Sequence, residues 1–231
     1  AGISTISQTL TNTSNSAQTI TYTVTPTSGD SGNCVGSNFT ITVVVNPKPT
    51  VLSTTETICS ETAFTVTPVN GSGNIVPTGT TYTWTTPISN PVGAITGGTA
   101  QVIGVGTINQ TLTNTTTAAA TLEYTVTPTS GACAGTPFTI TVTVNPTPTT
   151  LGLTNQTYCN GIPTTQIVLT NGVSGTTYAW TNSNTAIGLA ASGTGNIPVF
   201  TPTNSGTSPI SATISIIATA NGCSRAAETF T

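Results

Sequence analysis

The sequence predicts an all-β protein built from tandem modules of two packed sheets, on the basis of an alternating residue pattern and a long internal repeat. In TITYTVT, apolar Ile20, Tyr22 and Val24 alternate with threonines, and FTITVTV at residues 138–144 alternates in the same way. A period of two is typical of strands with one buried face. No segment shows the 3.6-residue period of an amphipathic helix, and clusters of Gly, Asn, Pro and Ser separate the predicted strands.

The internal repeat is about 100 residues long. Residues 5–29 align without a gap with residues 107–131, so that TYTVTPTSG in the first copy becomes EYTVTPTSG in the second. After a three-residue deletion, FTITVVVNPKPT at 39–50 aligns with FTITVTVNPTPT at 138–149. A further block follows each NPxP segment, because TICSE and TTYTWTT correspond to TYCNG and TTYAWTN. Matches of this length indicate structural repeats.

The alignment divides the chain into three repeats, which keep these names below. Repeat 1 (residues 1–47) is the C-terminal half of a unit, and repeat 2 (residues 48–146) is a complete unit. Repeat 3 (residues 147–231) is a diverged unit without its last strand, in which ISIIATANGC replaces YTVTPTSGAC. We therefore expect the sequence to be a window onto a longer repetitive polypeptide.

About seven short strands in each 100 residues predict an immunoglobulin-like β-sandwich. Trp84 and Trp180 fall on the predicted third strand, whereas Tyr22 and Tyr124 fall on the penultimate strand. We expect all four aromatic residues to lie in the core. The alternative for the two tryptophans is an exposed aromatic platform that binds a sugar.

The five cysteines follow the repeat. Cys59 and Cys159 share a position early in the unit, which we call the early position. A late position is shared by Cys34, Cys133 and Cys223. We expect one disulfide within each unit, with the partner of the first late cysteine preceding residue 1. The expected pairs are Cys59–Cys133 and Cys159–Cys223. Such pairing implies an oxidising, extracytoplasmic setting, and unrelated buried thiols are the alternative.

Proline segments, NPKPT and NPTPT, join the repeats. Each proline fixes its own φ and holds the preceding residue extended, which predicts short, stiff joints. A strand of seven or eight residues is about 25 Å long, so each repeat with its loops would add roughly 35–45 Å to an elongated rod.

The charge content is very low, at 3% of residues, and threonine makes up roughly a quarter of the chain. Soluble domains ordinarily carry about 25% charged residues. Lys48 and Arg225 are the only basic residues, so the chain lacks the positive surface that nucleic acids and anionic membranes attract. No apolar run approaches the roughly 18 residues that span a bilayer, so we expect no direct membrane insertion.

The sequence predicts no catalytic, metal or cofactor site. Histidine, the commonest general base and metal ligand, is absent. The acidic residues are Asp30, Glu56, Glu61, Glu123 and Glu228. Only Glu56 and Glu61 are close in sequence, and they flank Cys59 rather than a predicted pocket. The joints contain no carboxylates that could bind calcium.

The phrase YTVTPTSGxCxGxPFTITVTVNPxP, together with TICS and YTW, resembles the PKD-like or immunoglobulin-like tandem repeats of giant surface proteins from Bacteroidetes. The SprB-type gliding-motility adhesins are examples of these proteins. The resemblance covers both joints and most of the chain. It implies a filament exported by the type IX secretion system, anchored outside the outer membrane and moved along the cell to grip surfaces. Its partners would be neighbouring repeats, and a surface polysaccharide or a solid substratum.

Three functions are compatible with the sequence. The first is a structural one, in which the repeats form the stalk of a long cell-surface adhesin and carry out no chemistry. The second is an array of carbohydrate-binding modules that expose Trp84 and Trp180. The third is a set of accessory repeats of an extracellular enzyme. Solvent exposure of the two indole rings distinguishes the first function from the second.

The scarcity of basic residues predicts resistance to trypsin. The bond after Lys48 precedes Pro49, so Arg225 is the only ordinary cleavage site. We expect the chain from Phe39 to Asn221 to survive prolonged digestion under both native and denaturing conditions, as measured by intact mass. Rapid fragmentation within that range would contradict the prediction.

Overall fold

A computed structural model describes residues 4–29 and 32–231, so that the first three residues of repeat 1, Asp30 and Ser31 lie outside the described part. Its regular structure is almost entirely β, as predicted, with a single 3₁₀ turn at Thr185–Ile187 among these residues. No helix there is long and apolar enough to cross a membrane. The strands are β1 (Gln18–Val24), β2 (Phe39–Val45), β3 (Thr54–Cys59), β4 (Thr62–Val66), β5 (Thr81–Trp84), β6 (Ile88–Asn90), β7 (Ile95–Thr96), β8 (Gln101–Val105), β9 (Ile108–Asn114), β10 (Ala120–Ser130), β11 (Cys133–Ala134), β12 (Phe138–Asn145), β13 (Thr177–Asn182), β14 (Ser192–Thr194), β15 (Ile214–Ala220), β16 (Cys223–Ser224) and β17 (Glu228–Phe230).

Repeat 2 is a sandwich of two sheets. The larger sheet has the order β3-β12-β10-β5-β8, with β6 and β11 also paired to β10. The smaller sheet has the order β4-β9-β7. All pairs are antiparallel except one, because β3 runs parallel to β12. The first strand of the repeat therefore lies beside its last strand and points in the same direction.

The two sheets of repeat 2 enclose one apolar core. On β12 the apolar residues Phe138, Ile140, Val142 and Val144 are at most 4% exposed, while the intervening polar residues are half-buried. This is the outcome that a period of two predicts for a strand with one buried face. The opposite sheet contributes Phe64, Ile108 and Leu112.

Repeat 3 has its own core and one regular sheet. That sheet has the order β14-β13-β15-β16, and β17 also pairs with β15. The opposite layer is irregular, because residues 161–167 run beside residues 197–203 through only a few backbone hydrogen bonds. Examples are Thr164 N to Phe200 O at 2.9 Å and Ile167 N to Ile197 O at 3.1 Å.

Repeat 1 contributes a single hairpin of β1 and β2. Its register repeats that of β10 and β12, since Tyr22 faces Ile41 as Tyr124 faces Ile140. Tyr22 is nevertheless half-buried, in contrast to the core position that the sequence predicts, because no second sheet covers the hairpin among the described residues. Its hydroxyl donates to Gln8 Oε1 at 2.6 Å, and Tyr124 donates to the equivalent Gln110 at 2.8 Å.

An asparagine anchors the same turn in repeats 1 and 2. The Nδ2 of Asn114 donates to the carbonyls of Ala118 and Val144 at 2.8 and 2.7 Å. Asn12 makes the matching bonds to Ser16 and Val45, both at 2.8 Å. These anchors satisfy backbone carbonyls without using charged side chains.

A glycine on β14 is predicted to be essential for packing in repeat 3. A methyl group on Gly193 would overlap the indole ring of Trp180, which is only 3% exposed. We expect Gly193→Ala to lower the free energy of unfolding by about 1–3 kcal/mol, the usual range for overpacking. The control, Gly106→Ala, adds a methyl group that contacts nothing within 4 Å. Urea unfolding followed by tryptophan fluorescence measures both changes, and equal stability of the two variants would contradict the prediction.

Buried tyrosines predict a loss of stability in alkali. Burial raises the pKa of Tyr124 and Tyr82 above the ordinary value near 10. The stabilisation is therefore fully present below pH 10 and is lost as pH rises further, because the unfolded chain then releases these protons first. We expect the free energy of unfolding in urea, with free thiols blocked, to fall above about pH 10.

The matched variant for this prediction is Tyr124→Phe. It should cost about 1 kcal/mol at neutral pH through loss of the hydrogen bond to Gln110. Its stability should fall less steeply in alkali than that of the parent chain. Parallel pH profiles for the two proteins would show that Tyr124 is not responsible.

Candidate functional site: the junction between repeats 2 and 3

The described residues hold no convergent catalytic or metal-binding cluster. No group of three His, Cys, Asp or Glu side chains within residues 4–29 and 32–231 is placed to hold a metal ion. Glu56 lies half-buried on β3, and Glu61 lies exposed in the turn that follows Cys59. The charged residues that do meet are Arg225 and Glu228, whose Nε and Oε1 atoms are 3.1 Å apart.

Both tryptophans lie inside the sandwiches. Trp84 is 5% exposed, and its Nε1 donates to Thr99 O at 2.9 Å. Trp180 is 3% exposed and packs beneath Gly193, with no hydrogen-bond partner for its Nε1. Tyr124 is fully buried and packs edge-on against Trp84. Neither indole presents a face to solvent, so the aromatic platform required by a carbohydrate-binding array is not present on these two residues.

Repeat 3 contains a cavity of about 390 Å³. It lies beside Ile210, Ala212 and Phe230. In repeat 2 the residues equivalent to Ile210 and Ala212 are Ala120 and Leu122, which pair with Val144 and Val142. These two valines fill that part of the core. In repeat 3 only the three residues of β17 pair along this edge. The cavity therefore lies along the unpaired part of this edge, and polar side chains such as Gln156, Asn160 and Asn204 line it together with the apolar ones.

The joint between repeats 2 and 3 is packed rather than free. Pro146 and Pro148 are both buried, and so are their counterparts in the preceding joint, Pro47 and Pro49. Each proline restricts its own φ, and packing around its ring limits the freedom that remains at the joint. Burial of these prolines adds a second reason to expect a stiff connection.

Repeat 3 holds the joint through its ion pair. The carboxylate of Glu228 accepts from Leu151 N at 3.0 Å, and Arg225 donates to Pro148 O at 3.4 Å. An ion pair that is partly exposed contributes little by itself, in the range of about 0–1 kcal/mol. Its role here is to direct two side chains at the linker backbone.

A disulfide joins the two repeats. Cys59, at the end of β3, is bonded to Cys223, in the β15–β16 hairpin of repeat 3, with a Cα–Cα distance of 5.5 Å. Beside it, Asn145 Nδ2 donates to Asn221 O at 3.1 Å. Asn221 has φ of 50° in the hairpin turn, a conformation that asparagine tolerates better than most residues. The hairpin of repeat 3 thus rests on the end of β12.

The bond corrects the predicted pairing. The sequence led us to expect Cys59–Cys133 and Cys159–Cys223, whereas Cys133, Cys159 and Cys34 are unbonded. The physical reason is that the early and late positions lie at opposite ends of a repeat. Cys59 is in register with Asn145, the last residue of β12, but Cys133 lies beyond Phe138, its first. The strand between them has eight residues, or about 25 Å, and a disulfide requires Cα atoms about 4.4–6.8 Å apart.

The size of the closed loop makes the bond the strongest single connection at the junction. It spans a sequence separation of 164 residues. In the chain-entropy description, closing a loop of that length stabilises the folded state by about 5 kcal/mol. The neighbouring hydrogen bond between Asn145 and Asn221 contributes about 1 kcal/mol. The disulfide bond is therefore the main connection between repeats 2 and 3 at this junction.

The sequence did not reveal this junction because the alignment carries no information on strand direction. Equivalence of Cys59 with Cys159, and of Cys133 with Cys223, is visible from spacing alone. Only the parallel pairing of β3 with β12 shows that an early cysteine emerges at the end of the repeat that faces its successor. The sequence likewise did not single out Asn12 and Asn114 as anchors, because asparagine and threonine are common throughout the chain.

Comparison with known proteins places the fold in a family. The PKD-like domain family matches residues 2–49 and 56–148, more than half of the chain. Domains of this family are commonly extracellular structural or adhesion-related modules and are typically non-catalytic. No curated protein matches the chain. Among solved structures, the extracellular cadherin domains 1–5 of protocadherin gamma B2 match at a TM-score of 0.30 and 14% identity. That match covers 92% of this chain and 45% of the other, so the chain spans less than half of that structure's length. The family match includes the whole of the repeated TVTPTSG and NPxP segments, and the chain belongs to the PKD-like domain family.

Proposed function

We propose that these repeats form part of the structural stalk of a long secreted adhesin filament on the cell surface. The filament serves surface adhesion or gliding motility, after export across the outer membrane by a type IX secretion system. The observation that carries the proposal is the covalent bond between consecutive repeats, Cys59–Cys223. A module that acts alone has no need of such a bond, whereas a load-bearing array does.

The joint and the bond act together in this role. Buried Pro146 and Pro148 set the direction of the chain, and Arg225 and Glu228 hold the linker against repeat 3. The partners of each repeat are then its neighbours in the same chain. Contact with a polysaccharide or a solid substratum belongs to other parts of the filament, because both tryptophans are buried.

The disulfide and the family together favour an extracellular or secreted location. Disulfides persist where glutathione and thioredoxin do not reduce them, which in bacteria means the periplasm, the medium or the cell surface. A surface with few lysines and arginines resists trypsin-like proteases in such an exterior. The third function, accessory repeats of an extracellular enzyme, has no observation in its favour among the described residues.

The stalk function predicts that one repeat can be removed without loss of adhesion. Deleting residues 48–146 in frame from the chromosomal gene removes one whole period and recreates the NPTPT joint between repeats 1 and 3. We expect the shortened protein to reach the surface, as measured by antibody labelling of intact cells, and attachment under flow to match the parent strain.

A second strain, which lacks the whole gene, should not attach at all. A third, with residues 48–97 deleted, cuts the sandwich of repeat 2 through its core and should lower the amount of protein at the surface. Loss of attachment in the strain without residues 48–146, at normal surface levels, would place an adhesive site within the repeat and overturn the stalk function.

A further inference from the structure

We propose that Cys59–Cys223 is one member of a continuous series, in which the early cysteine of every repeat bonds to the late cysteine of the next repeat along the same polypeptide. The inference deepens the stalk function and rests on it in one respect, since it assumes that the repeats follow one another in tandem. It assigns a role to the three cysteines that are unbonded here, Cys34, Cys133 and Cys159.

The geometry of repeat 2 restricts the possible partners of each cysteine. An early cysteine lies at the end where β12 exits, in register with Asn145. A late cysteine lies in the hairpin at the opposite end, in register with Ser130. Two cysteines within one repeat are therefore separated by the length of the sandwich. Only the early cysteine of one repeat and the late cysteine of its successor meet at a junction, as Cys59 and Cys223 do.

Repeat equivalence extends this rule to the remaining cysteines. Cys159 matches Cys59, so its partner is the late cysteine of the repeat after repeat 3. Cys133 and Cys34 match Cys223, so their partners are early cysteines of the repeats that precede their own. All three thiols are accessible for such bonds, because Cys34 and Cys159 are exposed and Cys133 is half-buried. The partner in each case is a cysteine thiol of another PKD-like repeat.

Each bond forms by a balanced exchange. Two cysteine thiols lose two protons and two electrons and become one disulfide. The oxidant is a small or protein-borne disulfide, such as glutathione disulfide, which takes up those protons and electrons and becomes two thiols. Formation requires that both repeats have folded, since the sulfur atoms meet only across a finished junction.

The series has a mechanical consequence because its loops overlap. Cys133 and Cys159 are 26 residues apart in the sequence, and each is bonded outward to a different neighbour. Tension along the array then passes across one bond, through this short segment, and across the next bond. Even with every repeat unfolded, a segment of 26 residues stretches to only about 90 Å. Two such paths, shifted by one repeat, run side by side.

The first test uses filaments sheared from cells. Free thiols are alkylated in denaturant without reductant, and peptides are released with a glutamyl endopeptidase and chymotrypsin. Cleavage after Glu56 and Glu61 isolates Cys59, and cleavage after Tyr124 and Phe138 isolates Cys133. We expect Cys34, Cys133 and Cys159 to be unalkylated, with each late cysteine linked to the early cysteine of the preceding repeat. Alkylation of these residues, a Cys59–Cys133 link, or links between separate chains would overturn the series.

The second test isolates the rule in a recombinant chain. A second copy of residues 48–146 is inserted after residue 146, and Thr57→Ser and Thr136→Ser in that copy mark its two cysteine peptides by mass. After refolding with glutathione disulfide, the first-copy Cys59 should link to the second-copy Cys133, and the second-copy Cys59 to Cys223. A link between Cys59 and Cys133 of the same copy would contradict the rule.

A third measurement uses the present chain and two variants that each replace one cysteine. When the present chain is pulled by its ends, reduction of Cys59–Cys223 should add about 570 Å to the fully extended length, from the 164 residues released. Cys34→Ser should leave that difference unchanged, and Cys59→Ser should abolish it. An unaltered length after reduction would disprove the bond itself. These outcomes are independent of the attachment assays, so the stalk function can fail while the bonding rule holds, and the reverse.

Discussion

The parallel pairing of β3 with β12 is the constraint on which the rest of this structure depends. It places the first strand of repeat 2 beside the last, pointing the same way, so that Cys59 and Asn145 emerge together at one end. The chain also leaves the repeat at that end, through Pro146 and Pro148. The linker thus places the hairpin that carries Cys223 beside Cys59. An antiparallel first strand would have directed the early cysteine away from the next repeat.

Low charge changes how such a chain satisfies its polar groups. Asparagine and glutamine side chains supply hydrogen bonds without charge. Asn114 Nδ2 donates to Val144 O, and Gln110 Oε1 accepts from the hydroxyl of Tyr124. Each of these neutral hydrogen bonds contributes about 1 kcal/mol and does not depend on salt or on mildly acidic pH. The ion pair of Arg225 with Glu228 is placed at the linker, where direction matters more than energy.

Much of the fold could be predicted from the sequence, since the alternation of Ile140, Val142 and Val144 with threonine states directly which side of a strand is buried. The internal repeat likewise predicts which positions are equivalent, and Tyr124 and Gln110 behave as Tyr22 and Gln8 do. The disulfide could not be predicted, because spacing identifies partners only when strand direction is known. Tyr22 shows a second limit, since burial depends on a covering sheet and not on the pattern of its own strand.

The position of the disulfide, within a repeat or between repeats, determines which connection in the array breaks first under tension. A bond within a repeat protects a module and leaves the joint as the weakest connection, supported by hydrogen bonds of about 1 kcal/mol each. A bond across the junction contributes about 5 kcal/mol by loop closure, which is comparable to the whole stability of an ordinary domain, about 5–15 kcal/mol. Tension on the ends of the chain then crosses the sulfur bridge, and residues 60–222 lie within the loop that it closes. Because this chain carries few charges, electrostatic interactions contribute little to its stability. A covalent bond is therefore most effective where it crosses a joint.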